Sequence, residues 1–237
     1  MKPIVMKTQA IIVAAGQGTR FKTKIPKSLV LLRGKPIFVH TLSVFAKSSL
    51  IDKIVLVAHP KYLSEFKNHV ASFLGFHKIE IVPGGATRAD SVARGLTKVD
   101  ADTRIVVVHD GARPLLSKAI LEGTIRQISF RCPAVTVGVP MKQTVKKVAR
   151  RSLNVRETLN RDELWEIQTP QAFRLDVLRR AHRQHYQKTF TDDAVMVEAL
   201  GIRVKVFEGD YRNIKITTQE DLLIAEAFFA EGAPPAS

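Results

Sequence analysis

The sequence predicts an α/β fold: a Rossmann-like, mostly parallel sheet with helices on both faces, plus a protruding β-hairpin arm. Three observations carry this. Short apolar, β-branched runs recur over residues 10–15, 53–58, 78–82, 104–109 and 134–139, the pattern of strands buried on both faces. Stretches of helical length and apolar spacing separate them, and strands alternating with helices make a parallel sheet. The segments richest in glycine and cations follow the carboxyl ends of those runs, where ligands of such sheets sit.

The first run opens into the stretch around which the rest is organised, QAIIVAAGQGTRFKTKIPK, residues 9–27. It carries Gly16, Gly18, Pro26 and four cations, Arg20, Lys22, Lys24 and Lys27. Glycine lets main-chain N–H groups approach a ligand, and Lys and Arg supply charge and donors for phosphate. A buried strand opening into such a loop reads as a polyphosphate cradle. It is neither a P-loop, whose glycine spacing is absent, nor a dinucleotide fingerprint, whose third glycine would stand at Phe21. The ribose-binding acid of that fingerprint is missing too: the first carboxylate of the chain is Asp52.

Residues 28–32 then form a short apolar run turned at Arg33-Gly34, and Pro36 suits the first turn of a helix reaching about Lys47. Pro60 opens a second helix marked by Leu63, Phe66, Val70 and Phe73. A Gly84-Gly85 turn precedes a helix over about 88–98, and residues 117–128 form another. After the fifth strand the pattern changes. Over 141–161 cations far outnumber acids, and alternating pieces at 144–148 and 154–159 flank Arg150-Arg151-Ser152, as in a hairpin. An isolated hairpin is marginal in water, so this arm is expected to lean on something. Residues 165–170 lead into a helix from Leu175 to about Tyr186. Asp192-Asp193 starts a helix ending near Gly201, and 203–207 is a late strand. Thr218 to Asp221 is a capping-box start for a last helix over 222–229. Residues 1–231 are thus expected to be a single domain, with 140–161 as its arm and 232–237 as a disordered tail.

Composition narrows the function classes. With 237 residues, 45% apolar and 25% charged, the chain suits one soluble domain with a substantial core. A lone cysteine, Cys132, allows no intrachain disulfide and suits a reducing, cytoplasmic compartment. No run approaches a membrane span, and the N-terminal apolar run fits a strand better than a signal peptide. A net charge of +15 invites a nucleic-acid reading. No helix-turn-helix, zinc-finger or aromatic platform accompanies it, so the expected partners are acidic small molecules, with no specific nucleic acid and no membrane.

AAGQGTR followed by IPK resembles the signature of sugar-nucleotide pyrophosphorylases and cytidylyltransferases. Three later stretches narrow the likeness: PGGATRADSVARGL (83–96), VVVHDGARPLL (106–116) and NIKIT (213–217). In order and spacing they are similar to the 2-C-methyl-D-erythritol 4-phosphate cytidylyltransferase family of the non-mevalonate isoprenoid pathway. The likeness runs from Ala10 to about Ala230. It implies the nucleotide-diphospho-sugar transferase type of fold and CTP-dependent transfer of a cytidylyl group to a sugar-alcohol phosphate, with release of pyrophosphate.

The same resemblance implies the site. Arg20 and Lys27 would stabilise the transition state, with Arg161 and Lys215. Ala14, Ala15, Gly16, Gly84, Gly85, Arg88 and Ser91 would bind the nucleotide. Arg113, Thr144, Arg161, Thr169 and Lys215 would fix the polyol phosphate, Thr144 and Arg161 from the arm of a neighbouring subunit in a homodimer. Asp110 would hold Mg²⁺. The reaction needs no covalent nucleophile or general base, because a phosphate monoester is already largely a dianion near neutral pH. Departures stand at Ala86, Thr87, Gln143 and Arg212, where the family often has acids; Asp210 is an alternative second metal ligand. Two other readings share parts of these motifs: a ribitol 5-phosphate cytidylyltransferase, and a basic polyanion-binding module.

Overall fold

A computed structural model describes residues 6–18, 21, 23, 25–73, 78–185 and 190–232. In chain order the elements are β1 (Thr8–Ala14), β2 (Leu31–Leu32), β3 (Lys35–Pro36), α1 (Ile37–Lys47), β4 (Lys53–Ala58), α2 (Leu63–Phe73), β5 (Ile79–Pro83), α3 (Arg88–Leu96) and β6 (Ile105–Asp110). There follow α4 (Lys118–Arg126), β7 (Ala134–Pro140), β8 (Lys146–Val148), β9 (Val155–Thr158), β10 (Trp165–Arg174), α5 (Leu175–His185), α6 (Asp193–Glu198), β11 (Lys205–Glu208) and α7 (Gln219–Ala230).

The apolar runs pair as expected. Seven strands form one sheet in the order β11-β7-β10-β6-β1-β4-β5. β1 lies between β4 and β6, parallel to both, with Val13 opposite Val57 on one side and Asp110 on the other. Successive side chains of β1 point to opposite faces, and each face has its own core. Ile12 and Ala14 join Phe38 and Phe45 of α1, Phe66 of α2 and Leu121 of α4. Ile11 joins Val92 of α3, Leu178 of α5 and Met196 of α6. A third, smaller core sets Phe21, Leu32 and Ile216 against Ala225 of α7. The capping box at the start of α7 is formed in both directions by Thr218 and Asp221.

The ten-residue strand β10 was not expected at this length. It pairs antiparallel with both β6 and β7, so it is the one strand that runs against the others in the sheet. Its buried centre carries Gln168, Thr169 and Gln171, which breaks the apolar pattern of a central strand. These polar groups are satisfied inside: Gln171 Nε2 donates to Thr136 Oγ1 at 3.0 Å and to Asp192 Oδ2 at 2.9 Å. Pro170 sits where the register with β7 shifts, a place that tolerates a residue without an N–H. The second helix starts later than expected, because residues 60–62 form a separate 3₁₀ turn.

The arm is a shorter hairpin than the alternation suggests, and every residue of β8 and β9 is exposed. Arg20 and the expected end of α5 at Tyr186 lie outside the described residues, as does most of the expected tail.

Helix α3 lies close on β1 because Gly95 carries no side chain: a Cβ there would stand 2.6 Å from Ile11 Cγ2 and 3.2 Å from Val57 Cγ2. By helix propensity alone Gly95→Ala would gain about 1 kcal/mol. The clash is with stiff β-branched side chains in a packed core, so overpacking should win, with a net loss of about 1–2 kcal/mol. A lower urea midpoint for Gly95→Ala is the expected result; a raised one would show that α3 moves away freely.

Candidate functional site

The carboxyl ends of β1, β4, β5 and β6 and the loops that follow them enclose a cavity of about 680 Å³. Its shape comes from small residues. Gly84 closes against β1 so tightly that a Cβ would lie 2.2 Å from Ala15 Cβ. Among the described residues nothing stands within 4 Å of where a Cβ on Gly16 would point, which leaves its main chain facing the cavity. Gly18 takes φ +68°, favoured by glycine, and lets the loop fold back over Lys27, whose Cβ is 2.9 Å from the missing Cβ position. Ser28 Oγ donates to Ala14 O at 3.0 Å and ties the returning loop to the strand end.

Arg88 and Ser91 are placed by a second capping box, in which Thr87 and Asp90 each accept from the other's backbone N–H. The box fixes Arg88 as the first residue of α3. Ser91 Oγ donates to Thr87 O and accepts the Gly85 N–H at 3.1 Å, so its hydroxyl holds the Gly84-Gly85 turn. Arg94 Nη1 donates to Gly84 O at 2.9 Å from the next turn of the helix.

Asp110, the last residue of β6, is the electrostatic centre. Its side chain is buried among three cations: Lys215 Nζ at 2.8 Å, Arg88 Nε at 3.3 Å and Arg113 Nε at 3.7 Å. Burial opposes its ionisation, but Arg88, Lys215 and Arg113 outweigh that and hold the carboxyl well below the usual range. The segment over 213–217 explains how Lys215 arrives there. Asn213 Nδ2 donates to Gln168 Oε1 and to Thr169 O, both at 2.9 Å, while Arg113 Nη1 donates to Asn213 O at 2.7 Å. Ile216 is buried in the third core, and its carbonyl accepts from Lys27 Nζ at 2.9 Å. One anchored segment thus presents Lys215 and steadies Lys27.

Of the expected site residues, Ala14, Ala15, Gly16, Lys27, Gly84, Gly85, Arg88, Ser91, Asp110 and Lys215 all line the cavity. Arg113 lies behind Asp110, buried. Thr169 is also buried; its Oγ1 accepts the Asp110 N–H at 3.1 Å and lies 3.0 Å from His109 Nδ1. Thr144 and Arg161 are exposed on the arm and outside the cavity lining. Asp210 and Arg212 are outside it too: Asp210 Oδ1 accepts the Arg212 N–H, and the Arg212 guanidinium lies over Phe228 of α7.

Sequence reasoning did not single out His59 or Lys61, although both follow β4 at its carboxyl end and line the cavity. It also read Asp193 only as a helix start. Asp193 is fully buried and accepts from Arg88 Nη1 at 2.6 Å. Among the described residues no cluster of three metal-ligating side chains occurs. Magnesium is commonly bound by one or two carboxylates with phosphate oxygens and water. Asp110, ionised and at the cavity wall, fits that requirement. Lys27, Lys61, Arg88, Arg94 and Lys215 make the remainder of the lining strongly cationic, as a polyphosphate requires.

His109 sits behind the cavity. Burial lowers its pKa to about 3, against the pull of Asp110, so the ring is neutral. Its unfolded value is about 6.5. A histidine depressed in this way adds stability that is complete above the unfolded value and lost as pH falls toward the folded one. Stability should therefore drop by about 2 kcal/mol from this group between pH 7.5 and pH 5. His40 and His59, also lowered by burial, add a smaller slope of the same sign. In urea titrations, His109→Gln should be less stable at pH 7.5 yet lose less on going to pH 5; an unchanged slope would contradict a neutral His109.

Comparison with known proteins gives the same answer across nearly the whole chain. The model of the IspD family, 2-C-methyl-D-erythritol 4-phosphate cytidylyltransferase, matches residues 8–231. A protein of that name from Pelotomaculum thermopropionicum is 46% identical over 224 residues, 93% of each chain. One from Alkaliphilus oremlandii is 43% identical over 225 residues, 94% of each. The crystal structure of 4-diphosphocytidyl-2C-methyl-D-erythritol synthase from Anaerococcus prevotii superposes with a TM-score of 0.84 at 32% identity, covering 95% of this chain and 97% of that one.

Proposed function

The chain belongs to the 2-C-methyl-D-erythritol 4-phosphate cytidylyltransferase family, and from that premise we propose that the cavity beyond β1, β4, β5 and β6 is its active site. The enzyme transfers the cytidylyl group of CTP to 2-C-methyl-D-erythritol 4-phosphate, in isoprenoid biosynthesis. A phosphate oxygen of the polyol ester attacks the α-phosphorus of CTP. The bond to the β-phosphate oxygen breaks, and pyrophosphate leaves with that electron pair. One observation carries the assignment: Lys27, Arg88 and Lys215 converge with Asp110 on one cavity whose rims are the main chain of Gly16 and the Gly84-Gly85 turn.

Both reactants are anions, so the work of the site is to hold them together and in line. The Gly16 and Gly84-Gly85 main chain, Ala14, Ala15 and Ser91 seat the nucleotide. Arg88 and Lys27 counter the charge of its phosphates, and the family resemblance gives Arg20 the same role. Lys215 receives the polyol phosphate on the Asp110 side, Arg113 backs Asp110 and holds the Asn213 carbonyl, and Thr169 fixes the Asp110 backbone. When Mg²⁺ is bound, Asp110 would hold it together with the triphosphate, and the ion would neutralise phosphate charge.

The enzyme works as a homodimer in this reading. The arm supports it: Val148, Leu153 and Val155 are exposed apolar side chains on a hairpin whose two strands are exposed along their whole length, an arrangement that needs a second surface. Thr144 and Arg161 would then complete the polyol site of the partner subunit. A cytoplasmic location completes the reading, in keeping with a lone thiol at Cys132 and a nucleoside triphosphate as substrate.

Pyrophosphate release from CTP and Mg²⁺ is the assay, with 2-C-methyl-D-erythritol 4-phosphate and, as a control, ribitol 5-phosphate. Lys27→Ala should lower kcat about 100- to 1000-fold, as loss of one charge-stabilising donor does, with little change in melting temperature. Arg161→Ala should be similarly impaired. Mixing and reannealing the two variants should restore about a quarter of wild-type activity, because each mixed dimer contains one intact site. No restoration would remove the shared site. Asp110→Asn should raise the Mg²⁺ concentration for half-maximal activity by about tenfold or more; an unchanged requirement would take Asp110 off the metal.

A further inference from the structure

We propose that Asp193 and His182 are positioning residues for the reaction: Asp193 holds the Arg88 guanidinium in the cavity wall, and His182 holds Asp193. This rests on the assignment of the cavity as the nucleotide site. The three residues come from separate elements, with Arg88 opening α3, Asp193 opening α6 and His182 in α5. Arg88 is therefore not placed by its own helix alone.

The geometry is that of a chain of hydrogen-bonded side chains leading away from Asp110. Arg88 Nε lies 3.3 Å from Asp110 Oδ1, and Arg88 Nη1 lies 2.6 Å from Asp193 Oδ2. Asp193 Oδ1 lies 2.9 Å from His182 Nε2. A carboxylate only accepts, so that histidine nitrogen carries the proton. Asp193 is 0% exposed and His182 6%, so neither side chain contributes as a surface group. A fully buried carboxylate is costly unless paired, and its two partners here are Arg88 and His182.

The consequence for catalysis follows from competition. Asp110 and Asp193 share one guanidinium from its two ends. Without Asp193, the Arg88 charge would settle on Asp110, reducing the negative charge there and withdrawing the cation from the nucleotide phosphates. Asp193 thus keeps Arg88 between two anions rather than collapsed on one. His182 fixes the carboxylate plane that makes this possible. The neighbouring Asp192 is itself committed elsewhere: its Oδ2 accepts from Gln171 Nε2 and its Oδ1 from the Val195 N–H, so it cannot substitute.

The test is a set of steady-state measurements on the full-length enzyme, with melting temperatures alongside. His182→Phe removes the donor and should raise KM for CTP about tenfold, the effect of losing a hydrogen bond to a charged group. KM for the polyol phosphate should change less than about twofold. His182→Gln, which keeps an N–H, should recover most of the loss. The deciding comparison is Arg88→Ala with Arg88→Ala/His182→Phe. If His182 acts through Arg88, the two should have the same KM for CTP within about twofold. Independent, additive effects would overturn the proposal, as would a wild-type KM in His182→Phe. Should His182→Phe fail to fold, Asp193→Asn, alone and with Arg88→Ala, answers the same question. Absence of pyrophosphate release by the wild-type enzyme would instead refute the activity itself.

Discussion

The structure of the site depends on keeping one carboxylate ionised in a buried place. Asp110 ends a strand whose every residue is buried, and a lone carboxylate there would take up a proton. Lys215, Arg88 and Arg113 prevent it, each delivered by a different part of the chain. The arrangement also works in reverse. Arg88 and Arg113 are themselves largely buried, and Asp110 is one of the anions that make their burial tolerable. Removing any member leaves an uncompensated charge, so the cluster persists as a unit.

The rest of the fold is arranged to bring those parts together. Parallel strands β1, β4, β5 and β6 end at one rim, and close packing at Gly84 and Gly95 lets β5 and α3 approach β1 without intervening side chains. The antiparallel strand β10 supports the site from behind the cavity lining. It buries Gln168, Thr169 and Gln171, and through them hydrogen-bonds to Asn213, to the backbone of Asp110 and to the start of α6. A polar strand in the centre of a sheet is stable only when such groups are all satisfied. Here that satisfaction is also what fixes Lys215 and Asp193 relative to Asp110.

These roles mark where the sequence is readable and where it is not. The parallel strands are written in period-free apolar runs, and both helices α1 and α7 in their proline and capping signals, so their positions could be read directly. The cavity lining around Gly16, Gly84, Arg88 and Asp110 was legible because each motif stands at a strand's carboxyl end. β10 was not, because its centre buys specificity with polar side chains that look like a loop. Asp193 and His182 were illegible for a related reason: an ordinary helix start and an ordinary helix histidine become significant only when α5 and α6 fold against α3. His59 and Lys61 carried a positional signal that was available, since they follow β4 at the same rim.

Among the described residues the cavity serines are engaged by the main chain, Ser28 Oγ with Ala14 O and Ser91 Oγ with Thr87 O, and the chemistry asks for no activated hydroxyl. The attacking phosphate already carries the charge that a base would otherwise have to generate. What the protein must add is cationic charge held rigidly enough to exclude reorganisation during the reaction. Flexible surface lysines would not supply that, because each would relax toward whichever anion was nearest. Lys27 is held by the Ile216 carbonyl, Lys215 by Asp110, and Arg88 by two carboxylates. Lys27, Arg88 and Lys215 are thus tethered to the protein before an anionic ligand arrives, and the same ligand must compete with those tethers to bind. That competition favours a ligand whose charge is concentrated and multiple, which a triphosphate is and a single carboxylate or monoanion is not.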